Sequence, residues 1–135
     1  MKSNHQLFGE IISSYSRAQA FEDGVLVDVS KMAREAGFKY PVAVTVSVWH
    51  QYIDWSDEDS EKQTVQDVDG RLWDILCMLR FACMSKKDAD CIFYQLNIVP
   101  KDGKSRRAKL IRLKALVGGG DNHEPVITIM LPHED

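Results

Sequence analysis

Apolar and polar positions alternate most clearly in the last third of the chain. Cys91–Val99 and Arg107–Val117 each switch side-chain character at nearly every step, and Val126–Leu131 is short and rich in β-branched residues. The connections Pro100–Arg106 and Gly118–Pro125 are rich in turn formers. Two-residue alternation bounded by Gly, Pro, Asp and Asn predicts an antiparallel meander. Ile92, Tyr94, Leu96 and Ile98 fall on one side of its first strand, and Phe93, Gln95 and Asn97 on the other. On the second strand Ile111, Leu113 and Ala115 oppose Leu110, Arg112 and Lys114. One sheet face should therefore pack on helices while the other meets solvent, with Thr128 joining the polar side.

Earlier in the chain the period lengthens. Leu72, Ile75, Leu76, Leu79, Ala82 and Cys83 repeat at helical spacing and predict the longest helix, about Arg71–Met84. Asp69 lies where an anion favours its start, and Lys86 and Lys87 where cations favour its end. Ser16-Arg17-Ala18-Gln19 fits a capping box, and the short helix it opens stops at Gly24. Val25–Val29 reads as a strand. Ser30 caps a second short helix that Gly37 ends and Pro41 keeps from resuming. Thr45 caps a third, whose buried face holds Val46, Trp49, Tyr52 and Ile53. Between Asp54 and Asp69 acidic residues crowd the chain, which predicts a mobile acidic loop, with Trp55 exposed at its edge.

These elements make one α+β domain over residues 1–135. Its antiparallel sheet has three strands, or four with Val25–Val29, and helices pack on one face. Residues 1–11 form a partly ordered tail. A chain of 135 residues has the length of one domain and can bury a substantial core.

Composition narrows function mainly by exclusion. The net charge of -3 leaves any electrostatic role to local segregation of charge. No apolar run reaches the ~18–20 residues of a membrane span, and the first residues lack a secretory h-region. Cys77, Cys83 and Cys91 are odd in number, sit in apolar surroundings and form no Cys-x-x-Cys pair, so they read as buried thiols in a reducing cytoplasm. His5, His50, His123 and His133 have no metal-ligand spacing, and Asp57-Glu58-Asp59 lacks the glycine and spacing of a calcium loop. Gly118-Gly119-Gly120 precedes a strand rather than a helix, so it reads as a turn and not a phosphate cradle. No cofactor is expected.

One bias remains. Lys101, Lys104, Arg106, Arg107, Lys109, Arg112 and Lys114 place seven of the seventeen Lys and Arg residues within fourteen positions. A hairpin tipped with cations can meet phosphates, and whichever of Phe93 and Tyr94 faces outward can stack on a base. The candidate partner-binding residues are Lys101, Lys104, Arg106, Arg107, Arg112 and Lys114, and the partner is nucleic acid or an acidic protein surface. The bland alternative is a charged edge that blocks aggregation or pairs with the acidic segment. A second reading places a small enzyme site in the Ser13–Asp28 region, where hydroxyls and the carboxylates of Asp23 and Asp28 cluster without specifying a nucleophile–base pair. A third is a homo-oligomer joined through an apolar patch around Trp55 or an unpaired strand.

Five strings carry a resemblance. They are Ile12–Ala20, Asp23–Val29, Gly70–Asp74, Asp102–Arg107 and Val126–Pro132. On these the chain resembles an uncharacterised family of small proteins carried by bacterial plasmids and integrative conjugative elements. The similarity runs from about Ile12 onward. The family pattern reads Arg-Ala-Val-Trp after the Thr, whereas this chain has Val46-Ser47-Val48-Trp49. The resemblance implies a non-enzymatic accessory protein of a mobile element, with counter-defence a role by association. It supplies no catalytic residue.

Overall fold

The computed structural model describes residues 15–134. The expected N-terminal tail, Ser13 and Ser14 lie outside that range. In chain order the elements are α1 (Arg17–Glu22), β1 (Leu26–Asp28), α2 (Ser30–Glu35), β2 (Val42–Thr45), α3 (Val46–Val48) and a π-helical turn (Trp49–Ile53). Then come α4 (Asp57–Lys62), α5 (Val68–Ser85), β3 (Cys91–Ile98), β4 (Lys109–Gly119) and β5 (Pro125–Met130).

The fold is α+β, but the sheet is mixed and has five strands in the order β1-β2-β5-β4-β3. The C-terminal meander is antiparallel, with Tyr94 opposite Leu113 and Ala115 opposite Ile129. β2 runs parallel to β5, with Val44 opposite Ile129, and β1 pairs antiparallel with β2. The expectation of three or four wholly antiparallel strands is corrected here. β2 is the strand that the pattern hides: all four of its residues are buried, so it carries no alternation.

Most of the helices cover one face, and α1 reaches the other through Arg17, which donates to Thr128. Ile92, Tyr94, Leu96, Leu113, Ala115, Ile127 and Ile129 meet Leu72, Ile75, Leu76 and Leu79 of α5, with Ala33, Val48 and Ile53 at the margin. Burying each large aliphatic side chain stabilises the fold by about 1.5–3 kcal/mol. The Tyr94 hydroxyl donates to the Ile75 carbonyl at 3.3 Å, and burial pushes its phenol far above the usual range. An edge strand and the long helix are thus held in a fixed relation.

Local capping follows the sequence in part. The Ser16 hydroxyl accepts from the Gln19 amide at 2.9 Å, and Thr45 accepts from Val48 at 3.3 Å. Gly24 and Gly37 adopt positive φ, where a side chain would be strained. Ser30 lies inside α2 instead of capping it. Its hydroxyl donates to Asp28 at 2.6 Å and accepts from the Val42 amide at 3.0 Å, tying α2 to β2. Asp67 caps α5, accepting from Gly70 at 2.6 Å, and Asp69 lies in the first turn, where an anion favours the helix start as expected.

The acidic segment is not the expected loop. Ser56 and Asp59 form a reciprocal capping box, and Asp57, Glu58 and Asp59 fill the first turn of α4, where anions oppose the helix dipole favourably. Trp55 is buried, with its indole Nε1 donating to Ser60 at 3.0 Å, so it offers no interface. Cys91 is exposed and Cys77 and Cys83 are half-buried, which corrects the expectation of three buried thiols. No described helix is long and apolar enough to cross a membrane.

Candidate nucleic-acid interface

The outward face of β3 and β4 is set by pleat and register. Gln95 lies opposite Arg112, Phe93 opposite Lys114, and Asn97 opposite Leu110. Diagonal neighbours on one face of an antiparallel pair are within reach of long side chains. Arg112 uses that reach: its guanidinium lies 4.4 Å from the centroid of the Phe93 ring. Phe93 keeps 38% of its surface exposed, and Leu110 keeps 61%. Tyr94 points inward, so Phe93 is the outward aromatic.

The β3–β4 connection is built from its own side chains. The Asp102 carboxylate accepts from the Lys104 amide at 2.9 Å, the Ser105 amide at 2.7 Å and the Ser105 hydroxyl at 2.6 Å. These bonds, that from the Ser105 hydroxyl foremost, hold its pKa down to about 2. Gly103 sits at φ +75°, which favours glycine. The buried Gln63 closes the loop from behind. Its Nε2 donates to the carbonyls of Pro100 and Ser105, each at 2.7 Å, and to Asp102 at 3.1 Å, while its Oε1 accepts from the Gly103 amide at 3.1 Å. Lys104, Arg106, Arg107 and Lys109 are thereby displayed to solvent.

The six expected contact residues divide. Lys101 donates to Asp54 at 3.1 Å and lies 3.4 Å from Asp59, and the bond to Asp54 leads in raising its pKa. Lys114 is buried and donates to the Glu134 carbonyl. Both cations are therefore engaged within the chain. Lys104, Arg106, Arg107 and Arg112 are exposed, and among the described residues none of them is in an ion pair. Lys109 is exposed as well, and the Phe93–Arg112 stack was not foreseen from the sequence. Alternation places both partners of that stack outside, but only the register brings them together.

Two other polar centres were not foreseen. Arg71 is buried, with Nη1 donating to Gln66 at 2.7 Å and to the Val99 carbonyl at 2.8 Å, and its guanidinium stacks 4.3 Å from the Trp55 ring. Burial lowers its pKa to about 10, and its Nε and Nη2 find no partner among the described residues. On the other side of the sheet from α5, a cleft of about 700 Å³ is lined by Tyr15, Arg17, Thr45, Asp121, Thr128 and Glu134, among others. Arg17 donates to the Thr128 hydroxyl at 2.7 Å and to the Ile127 carbonyl at 2.9 Å. Asp121 accepts from the amides of Ala18 and Arg17, which lowers its pKa.

This cleft adjoins the Ser13–Asp28 region suggested for an enzyme. The Tyr15 hydroxyl donates to Asp23 at 2.7 Å, and that bond raises its pKa. Ser16 is occupied as a helix cap, and Asp28 is turned to Ser30. The described residues therefore place no activated nucleophile beside a base. Among them, no group of three or more His, Cys, Asp or Glu side chains could hold a metal ion.

The family model that matches this sequence runs over residues 3–135. The chain belongs to a family of unknown function, DUF6573. No curated protein and no solved structure matches it.

Proposed function

We propose that the outward face of β3 and β4 binds single-stranded nucleic acid. The observation that carries this reading is the exposed Phe93 ring with Arg112 stacked on it, 4.4 Å away, beside the amides of Gln95 and Asn97. A flat aromatic platform on a sheet suits unstacked bases, which present π-faces and hydrogen-bonding edges. The loop bearing Lys104, Arg106, Arg107 and Lys109 continues from the end of that platform and suits a phosphate backbone. An acidic protein surface would use the same cations but has no need of an exposed ring. The accessory role in a mobile element, counter-defence included, rests on the sequence resemblance alone.

Fluorescence anisotropy with labelled oligo-dT and oligo-U tests the reading. Base stacking contributes about 1–3 kcal/mol per base, so Phe93→Ala should weaken binding roughly 5- to 150-fold. The double variant Arg106→Ala/Arg107→Ala should weaken it and flatten its salt dependence. Equal affinity for heparin and oligonucleotide, with no effect of Phe93→Ala, would assign the face to acidic polymers in general and refute base recognition.

A small-molecule site in the Tyr15–Arg17 cleft is the second reading, supported by a volume in the range of ligand pockets. It predicts a metabolite-induced rise in melting temperature that Arg17→Ala abolishes.

A further inference from the structure

Helix α5 is apolar on two opposite faces. Leu72, Ile75, Leu76 and Leu79 turn inward to the sheet and are buried. On the outside Gly70, Trp73, Cys77, Phe81 and Met84 follow one another at spacings of three, four, four and three. At 100° per residue these five positions fall within an arc of about 80° and run along about 21 Å of helix. Trp73 is 40% exposed, Phe81 67% and Met84 59%, with Met78 exposed at the flank. A helix packed on one side ordinarily turns polar residues to water on the other. An exposed stripe of this kind marks a contact surface.

The spacing reads the same from either end about Cys77. An antiparallel neighbour with identical spacing, centred at the same point, sets Trp73 against Phe81 of the second copy and Cys77 against Cys77. It also brings Met84 over Gly70, which has no side chain to obstruct it. Charge favours the same arrangement. The acids of α5 and its N-cap, Asp67, Asp69 and Asp74, lie in the N-terminal half, where Arg71 is turned inward and buried. Arg80 and the C-cap residue Lys86 lie in the other half. Antiparallel pairing puts acidic half against basic half and opposes the two helix dipoles, whereas parallel pairing sets like against like.

We infer that α5 is a self-association surface, on which two copies of this chain pair antiparallel about a two-fold axis at Cys77. Such an interface is isologous: each residue meets its symmetry-related counterpart set. Because α5 and the Phe93–Arg112 face lie on opposite sides of the sheet, the pair leaves both candidate interfaces pointing outward. The inference stands independently of what those faces bind.

Sedimentation equilibrium of the full chain over a concentration series tests it, together with a short bismaleimide that joins thiols by addition. The expected result is a monomer–dimer equilibrium that Phe81→Glu shifts toward monomer at least tenfold without changing the far-ultraviolet circular dichroism. In a Cys91→Ser background the reagent should yield covalent dimer, and Cys77→Ser should remove it. If Phe81→Glu fails to fold, Met84→Glu and the Cys77 crosslink decide. A monomer at every concentration would overturn the inference. So would a dimer indifferent to Phe81→Glu, or covalent dimer that survives loss of Cys77.

Discussion

Gln63 is the side chain on which the shape of the cationic loop depends. Replacing it with Ala removes the contacts to Pro100, Asp102 and Ser105, shared among the two Nε2 hydrogens, and the bond from Gly103, about three full hydrogen bonds in all. An intramolecular hydrogen bond contributes about 0.5–1.5 kcal/mol net. Three of them give a range of roughly 1.5–4.5 kcal/mol. The loop groups are near solvent and can rehydrate once the amide is gone, which places the expected loss at about 2–4 kcal/mol. Urea denaturation followed by circular dichroism measures it through the shift in midpoint at constant slope. Lys101→Ala is the control. It removes partly exposed ion pairs to Asp54 and Asp59 and should cost at most about 1 kcal/mol. A Gln63→Ala loss below about 1 kcal/mol, or a larger loss from Lys101→Ala, would refute the view that this buried amide organises the loop.

Other outcomes follow from the same physics. The Asp102 carboxylate has a pKa held at about 2, below its unfolded value near 3.9. The unfolded chain then takes up the proton first, so this contribution is complete above about pH 4 and is lost as pH falls toward 2. Asp102→Asn should flatten that limb of an acid-denaturation curve; an unchanged limb would show that Asp102 is not its source. Leu76→Ala, at a fully buried position of α5, should cost about 2–5 kcal/mol in the same urea assay. Asp67→Ala removes the α5 cap bond to Gly70 and should cost about 0.5–2 kcal/mol; no change would mean that water replaces the cap without loss.

What could be read in the sequence follows from what each element packs against. β3 has one face on α5 and one in water, so its burial alternates residue by residue and its outward set, Phe93, Gln95 and Asn97, was legible. The inner stripe of α5 was legible for the same reason. β2 was not, because Val42–Thr45 is buried throughout and its last residue doubles as the cap of α3. Its parallel pairing with β5 joins segments more than eighty residues apart, and no local pattern encodes such a contact. The high charge of the acidic segment masked α4, although Ser56 and Asp59 carried its capping box.

At the candidate site the cations of β4 and of the loop before it were visible, but their fates were not. Lys101 is claimed by acids that α4 and the preceding turn bring to it, and Lys114 by a carbonyl at Glu134. Both are tertiary contacts. The outer stripe of α5 went unread because Trp73, Cys77, Phe81 and Met84 lie outside the face that explains the helix.

The central claim is that cations on the β3–β4 ribbon are free to meet a polyanion. The most direct test is the salt dependence of binding to a labelled single-stranded oligonucleotide. Each phosphate neutralised on a single strand contributes about -0.7 to the slope of log K against log salt, so engagement of Lys104, Arg106, Arg107, Lys109 and Arg112 predicts a slope near -3.5. A slope near zero, or no binding at low salt, would contradict the claim.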